Sequence, residues 1–263
     1  MTEFIVVGVG GVGMAHVCAI GRTGNRVKAI VDIDKNILER SQHKWENNWL
    51  DLVESTPVQS NCKYYLSVTD IDVLTLKNDD VFIVATPPDT HLYITDWILL
   101  NTKCSLILEK PYMLPKTYRG NKRIIPSCEW VFHSKLNRYL QNHEIYSIGM
   151  RYPASHKTNW EQDTLFDFCP HLFSILAITG DVVIKDKVNK VYGGQDKFAI
   201  VVETANKPIL LWGDRRNTRC GLYINDELFE WENDLFDLQI QNFDKIKIHW
   251  PILLGLENQL GVR

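Results

Sequence analysis

The feature that most constrains the fold lies at the start of the chain. An apolar run, Phe4-Ile5-Val6-Val7, meets Gly8-x-Gly10-x-x-Gly13 and then the helix-patterned segment GVGMAHVCAIGR. Each glycine in that spacing has a separate physical task. The first permits a tight turn, the second lets a phosphate come close to the backbone, and the third lets helix and strand pack without an intervening side chain. The helix N-terminus then offers its unpaired amides to the phosphates. A glycine-rich turn alone is a weak signal, but this one has a strand before it and a helix after it, as the motif requires. The next strand-like run, VKAIVDID, carries Asp32 at its end, 19 residues beyond Gly13. That is where a carboxylate would hydrogen-bond a ribose. The expected ligand is a dinucleotide, NAD in preference to NADP, because a carboxylate there repels a 2′-phosphate.

The same alternation continues to about residue 110. KNILERSQHKWEN, TDIDVLTLKN and DTHLYITDWILLN read as helices, the last with Asp89 as its cap, and KYYLS, DVFIVATPP and CSLILEK read as strands, CSLILEK closing the sheet. Strands that are apolar throughout and alternate with helices imply a parallel sheet covered on both faces. Beyond Pro111 the texture changes. PYMLPKTYRGNKRIIP is rich in proline and basic residues and reads as a solvated crossover. TLFDFCPHLFSILAITG reads as a helix with its approach, and closely spaced strand signals follow, including KFAIVVETAN, PILLWGD, GLYINDELFEW and FDLQIQNF. The expected architecture is α/β: a Rossmann doubly wound parallel sheet over residues 1–115, then a smaller α+β domain with a mainly antiparallel sheet over residues 116–263.

Composition narrows the class. A net charge of -3 gives no electrostatic case for nucleic acid or an anionic membrane. No apolar stretch reaches the roughly 20 residues that span a bilayer, and Met1 leads into a short strand rather than a secretory leader. The six cysteines are scattered without a C-x-x-C pair, which fits reduced thiols in a cytoplasm rather than disulfides. His133 and His143 have no metal-ligand spacing with other donors, so no metal is expected.

The run Cys104–Leu108 ends abruptly on Glu109-Lys110-Pro111. In a doubly wound sheet the carboxyl ends of the strands open onto the ligand crevice, which accounts for charge at that point. With GVGGVG, VDID, ATPPDTH (Ala85 to His91) and EKP in this order, about the first 115 residues resemble the glucose–fructose oxidoreductase / inositol dehydrogenase (Gfo/Idh/MocA) family, as a compact member. The resemblance implies a cofactor-binding set of Gly8, Gly10, Gly11, Val12, Gly13, Asp32, Ile33, Thr86, Pro87, His91, Glu109 and Lys110. It also implies that Lys110 reaches both the nicotinamide and the substrate oxygen.

The family further suggests an Asp-x-x-x-His pair in the second domain, and DFCPH supplies Asp167 and His171. Spacing i, i+4 puts both on one helix face. Pro170 is best tolerated in a first turn, so the pair is expected at the helix start. This sequence departs from the family in lacking a glycine-rich approach to Asp167 and in carrying Cys169 where a glycine is common.

The implied activity is an NAD-dependent oxidoreductase acting on a hydroxyl or carbonyl of a sugar, cyclitol or derivative. Catalysis falls to His171 as the acid/base, Asp167 orienting or charging it, and Lys110 hydrogen-bonding the same oxygen; a lysine beside the cationic nicotinamide could instead take the proton itself. Two alternatives stand beside it: a biliverdin-reductase-like reductase of a conjugated or imine substrate, and a non-catalytic NAD-binding sensor or scaffold. Tyr152 and Trp160 could wall a substrate pocket. An apolar sheet face in the second domain asks for a partner, so a homodimer or higher homo-oligomer through that sheet is expected.

Overall fold

The structure, a computed structural model, describes residues 1–46, 61–118, 120–151, 164–178, 188–193, 196–204, 207–215, 221–231 and 235–245. They form two compact units, one of Met1–Ser127 with Phe236–Ile246, the other built on Cys128–Leu235.

The first unit is an all-parallel sheet ordered β3-β2-β1-β4-β5-β6. Its strands are β1 (Glu3–Val7), β2 (Arg26–Val31), β3 (Lys63–Tyr65), β4 (Val81–Val84), β5 (Ser105–Leu108) and β6 (Ile124–Pro126). Phe4, Ile5, Val6, Ile30, Ile83 and Ile107 are fully buried, as strands covered on both faces must be. Helices α1 (Gly11–Arg22), α2 (Lys35–Glu46) and α3 (His91–Asn101) join the strands in the expected order.

Several expectations change. TDIDVLTLKN is not a helix but two short 3₁₀ turns, Val68–Asp70 and Val73–Thr75. Ser67 and Asp72 cap the amino ends of these turns, accepting from the Thr69 and Leu74 amides. Asp89 is not a helix cap; it lies in a 3₁₀ turn, Pro88–Thr90, ahead of α3. The strand β5 does not close the sheet, because β6 pairs parallel beyond it. The boundary expected after residue 115 therefore falls between two strands of one sheet. Arg123, at the end of the basic run, is not solvated: its guanidinium donates to the carbonyls of Leu99, Thr102 and Cys104 at 3.1, 2.8 and 2.9 Å. It thereby satisfies carbonyls left open where α3 ends.

FDLQIQNF, expected as a strand, lies in the helix α6 (Leu235–Asn242) and the turn after it. The polar–apolar alternation there is real, but the residues that pack on the first unit's core are Phe236, Ile240 and Phe243, at helical spacing. Phe243 meets Phe4 edge-on at 5.9 Å. Arg22 Nε donates to both carboxylate oxygens of Asp237, at 2.9 and 2.8 Å, and its Nη2 donates to Oδ1 at 2.5 Å.

The second unit begins with a 3₁₀ turn (Glu129–Phe132) and α4 (Ser134–Asn142). Its sheet is ordered β12-β11-β7-β10-β9-β8. These are β7 (Ser147–Arg151), β8 (Val188–Gly193), β9 (Lys197–Glu203), β10 (Pro208–Asp214), β11 (Gly221–Ile224) and β12 (Glu227–Phe229), with helix α5 (Thr164–Ile178) packed on β7, β9 and β10. The sheet is mainly antiparallel, but β7 and β10 run parallel, so it is not a simple meander. Along β9 and β10, burial alternates: Phe198, Ile200, Val202, Ile209 and Leu211 are buried, while Ala199, Val201, Leu210 and Trp212 are not.

Candidate functional site

Gly8 leaves β1 at φ +85, a conformation that favours glycine, and a Cβ there would lie 2.7 Å from the Ala85 carbonyl oxygen. A Cβ on Gly13 would lie 1.9 Å from the Gly8 carbonyl oxygen, so α1 can approach the loop only because that side chain is missing. Gly10 and Gly11 differ: a Cβ on either would meet nothing within 4 Å. They border open space at the amino end of α1, where Gly10 caps the helix with no side chain. Among the described residues this is a cradle of the shape a pyrophosphate needs.

Asp32 lies beside it. Its Oδ2 accepts from the Val9 amide at 2.9 Å and its Oδ1 from the Asp34 amide at 3.0 Å. Each oxygen keeps acceptor capacity for a ribose hydroxyl, while the two amides fix the carboxylate against the glycine loop. Val12 is 45 % exposed and Ile33 is 88 % exposed, two apolar side chains at this edge of the sheet. The residues fit a dinucleotide.

A second loop follows β4. The Ala85 amide donates to the Val7 carbonyl at 2.8 Å, and Thr90 donates its hydroxyl proton to the Thr86 hydroxyl at 2.7 Å. Thr86 is half-buried and Pro87 exposed. His91, by contrast, is fully buried. Its Nδ1 lies 3.0 Å from the Pro111 carbonyl and its Nε2 2.9 Å from the Thr86 carbonyl. The residue expected as a cofactor contact thus sits between the loop after β4 and the loop after β5, with a carbonyl beside each ring nitrogen. Both partners are acceptors, and a neutral imidazole has one N–H. Burial holds the imidazole below the ordinary histidine range, against the opposing pull of the two carbonyls, Glu109 and Asp89.

Glu109 turns inward. Its Oε1 lies 2.7 Å from His16 Nε2 on α1 and accepts from the Ser127 hydroxyl at 2.6 Å. Gln239 Nε2, on α6, donates to that hydroxyl at 3.0 Å, and Tyr112 donates to the Ser127 carbonyl at 3.0 Å. Burial alone would raise the Glu109 carboxyl; His16, Ser127 and the charge of Lys110 outweigh it and bring it to about 2. Lys110 follows, half-buried, at the carboxyl end of β5. His16, Ser127 and Gln239 carry no sequence motif; only the buried environment of a strand-end carboxylate could have pointed to them.

In the second unit, α5 carries both Asp167 and His171, with His171 one turn after Asp167. The helix begins at Thr164, so Pro170 sits in its interior rather than its first turn, as expected from sequence. Proline lacks an N–H, so the bond to the carbonyl four residues earlier is missing there. His171 Nδ1 lies 3.4 Å from Oε1 of Glu129, a carboxylate the sequence did not single out. His133 is a helix cap: its Nδ1 accepts from the Leu136 amide at 3.2 Å. Tyr152 and Trp160 lie outside the described residues. Among the described residues, no group of three or more His, Cys, Asp or Glu is arranged to hold a metal, and no helix is long and apolar enough to cross a membrane.

A parallel sheet with this glycine turn, followed by a mixed sheet under one long helix, defines a class: the fold of the Gfo/Idh/MocA dehydrogenases. Three solved structures show the likeness. The myo-inositol dehydrogenase of Corynebacterium glutamicum superposes with a TM-score of 0.73 at 12 % identity, over 99 % of this chain and 95 % of that one. The scyllo-inositol dehydrogenase of Lactobacillus casei, with bound NAD(H) and scyllo-inositol, gives 0.71 at 12 % identity over 99 % and 95 %. The WlbA dehydrogenase of Thermus thermophilus, in complex with NAD and UDP-GlcNAcA, gives 0.70 at 14 % identity over 98 % and 95 %. No protein-family model and no curated relative matches the sequence.

Proposed function

We propose that the chain is an NAD-dependent oxidoreductase acting on a hydroxyl or carbonyl carbon of a sugar, a cyclitol or a derivative of one. The observation that carries this reading is the glycine cradle with Asp32 held against it by the Val9 amide at 2.9 Å. Fold neighbours solved with NAD(H) and scyllo-inositol, or with NAD and UDP-GlcNAcA, support the same reading. The nicotinamide, when bound, supplies the hydride chemistry. The protein's part is to hold the dinucleotide and to move a proton at the substrate oxygen. Gly8, Gly10, Gly11 and Gly13 keep the cradle open, Asp32 takes the ribose, and Ile33 offers an apolar surface to the base. Lys110 hydrogen-bonds the substrate oxygen, and His171 exchanges its proton, with Asp167 on the same helix.

Titration of the purified protein with NADH and NADPH, followed by fluorescence, tests the cofactor. NADH is expected to bind at least ~10-fold more tightly, since a buried-side carboxylate facing a 2′-phosphate costs over a kcal/mol. Binding of neither nucleotide would sink the cofactor assignment and move a scaffold role to the front.

The chain is further proposed to form a homodimer through the face of the second unit's sheet opposite α5. Leu210 and Trp212 lie there, and Arg151 sits over the Trp212 and Tyr223 rings at 5.2 and 4.7 Å. Light scattering is expected to give a dimer at micromolar concentration, and Leu210→Glu a monomer; a wild-type monomer throughout overturns the assignment.

A further inference from the structure

We infer that Glu129 is the positioning carboxylate of His171: it selects the imidazole's tautomer and stabilises its cation. This rests on the reading of His171 as the group that exchanges the substrate proton. Glu129 opens the 3₁₀ turn of the second unit and is only 5 % exposed. A carboxylate is not left in such surroundings without a compensating charge or donor. The His171 ring, with its side chain 11 % exposed, presents Nδ1 to Oε1 at 3.4 Å.

The elements packed on α5 bring few charges to it among the described residues. The Arg215 guanidinium, after β10, lies over the Phe168 ring at 5.5 Å, and the strands beneath α5 present apolar residues inward, among them Ile148, Met150, Ile200 and Leu211. Glu129 is a buried carboxylate within ion-pair distance of the ring, and burial makes its charge act strongly there.

The chemistry follows from the tautomer. A carboxylate at Nδ1 keeps the proton there and leaves the lone pair on Nε2. With the cofactor bound to take hydride from a substrate alcohol, Nε2 would accept the proton released as the O–H bond breaks. The ring becomes an imidazolium paired with the Glu129 carboxylate, and the proton then leaves to solvent. In the reducing direction the same proton returns to the carbonyl oxygen.

Nitrogen-15 NMR of the full-length protein, with His171 assigned by its loss in His171→Gln, reads this directly. The wild type is expected to show the Nδ1–H tautomer at neutral pH, and Glu129→Gln to lower the His171 pKa by about one unit. Asp167→Asn is expected to move it less, and Glu129→Asp to restore most of the shift. An Nε2–H tautomer in the wild type, or an unchanged titration in Glu129→Gln, overturns the inference without touching the proposed activity. In turnover, Glu129→Gln is expected to lower kcat about 10-fold and to move the acid limb of alcohol oxidation to lower pH. Full turnover by His171→Ala would overturn the catalytic role of His171, while the NMR coupling would still stand.

Discussion

Lys110→Met is expected to reduce turnover of a sugar or cyclitol substrate by about 10²–10⁴-fold while NADH affinity changes little. Methionine keeps the length and apolar stem of lysine and removes only the ammonium. Lys110 follows β5, whose Leu106, Ile107 and Leu108 are fully buried, so its backbone is fixed by the sheet. Its neighbours on either side are also held. The Glu109 amide donates to the Val84 carbonyl at 2.9 Å, and the Pro111 carbonyl lies 3.0 Å from His91 Nδ1. The dinucleotide cradle is built from Gly8 to Gly13 and Asp32, on other strands, which is why binding should survive. Stopped-flow measurement of turnover beside an NADH titration checks both halves. Undiminished turnover would remove Lys110 from the mechanism; loss of NADH binding alongside activity would recast it as a cofactor ligand.

The second large effect concerns stability. Glu109→Ala removes the acceptor that His16 and Ser127 share at 2.7 and 2.6 Å, and strands both in a buried site. Leaving buried hydrogen-bonding groups without their partner costs about 1–3 kcal/mol each, enough to lower the melting temperature by roughly 10 °C in a domain of this size. The pH dependence follows from the direction of the shift. Because the folded carboxyl titrates at about 2, below its ordinary value of 4.5, it stabilises the fold fully above pH 4.5. That contribution is lost as pH falls through 2. Calorimetry should therefore show the gap between wild type and Glu109→Ala shrinking below pH 4.5. A gap independent of pH from 7 to 3 would mean that the carboxylate's charge contributes nothing. The same network fixes Glu109, the residue before Lys110, at the carboxyl end of the strand.

How much of this was legible depends on how local the cause is. The turn at Gly8 and the close packing at Gly13 are consequences of a few consecutive residues, and they follow from spacing. Asp32, the carboxylate proposed for the ribose, is readable too, because its distance along the chain from Gly13 reflects one helix and one strand. His91 shows the limit. Its position in ATPPDTH is evident, but its burial, and its two carbonyl partners 5 and 20 residues away, are not. Glu109 is a sharper case, since its partners come from α1 and from the residue after β6, and that residue is held in turn by Gln239 on α6.

Elements misread from sequence share one cause. FDLQIQNF alternates as a strand would, yet it is helical because its Phe236 and Ile240 can pack on the first unit's core only at helical spacing. TDIDVLTLKN has the composition of a helix, but it forms two turns of three residues, each capped at its start by Ser67 or Asp72. β6 is hidden in a basic, proline-containing stretch because an edge strand of three residues needs little apolar pattern of its own; the β5 edge supplies its hydrogen bonds.

By itself, then, the order of residues determined the parallel α/β half, its glycine turn, Asp32, and the placing of Lys110 at a strand's carboxyl end. These depend on periodicity and on backbone sterics, which act over a few residues. Tertiary structure alone decided that Glu109 faces inward, that His91 sits between two loops, and that His171 meets Glu129. Each of those depends on which distant side chain fills the space around a buried charge, and the electrostatic cost of leaving it unpaired is settled only once the chain has packed.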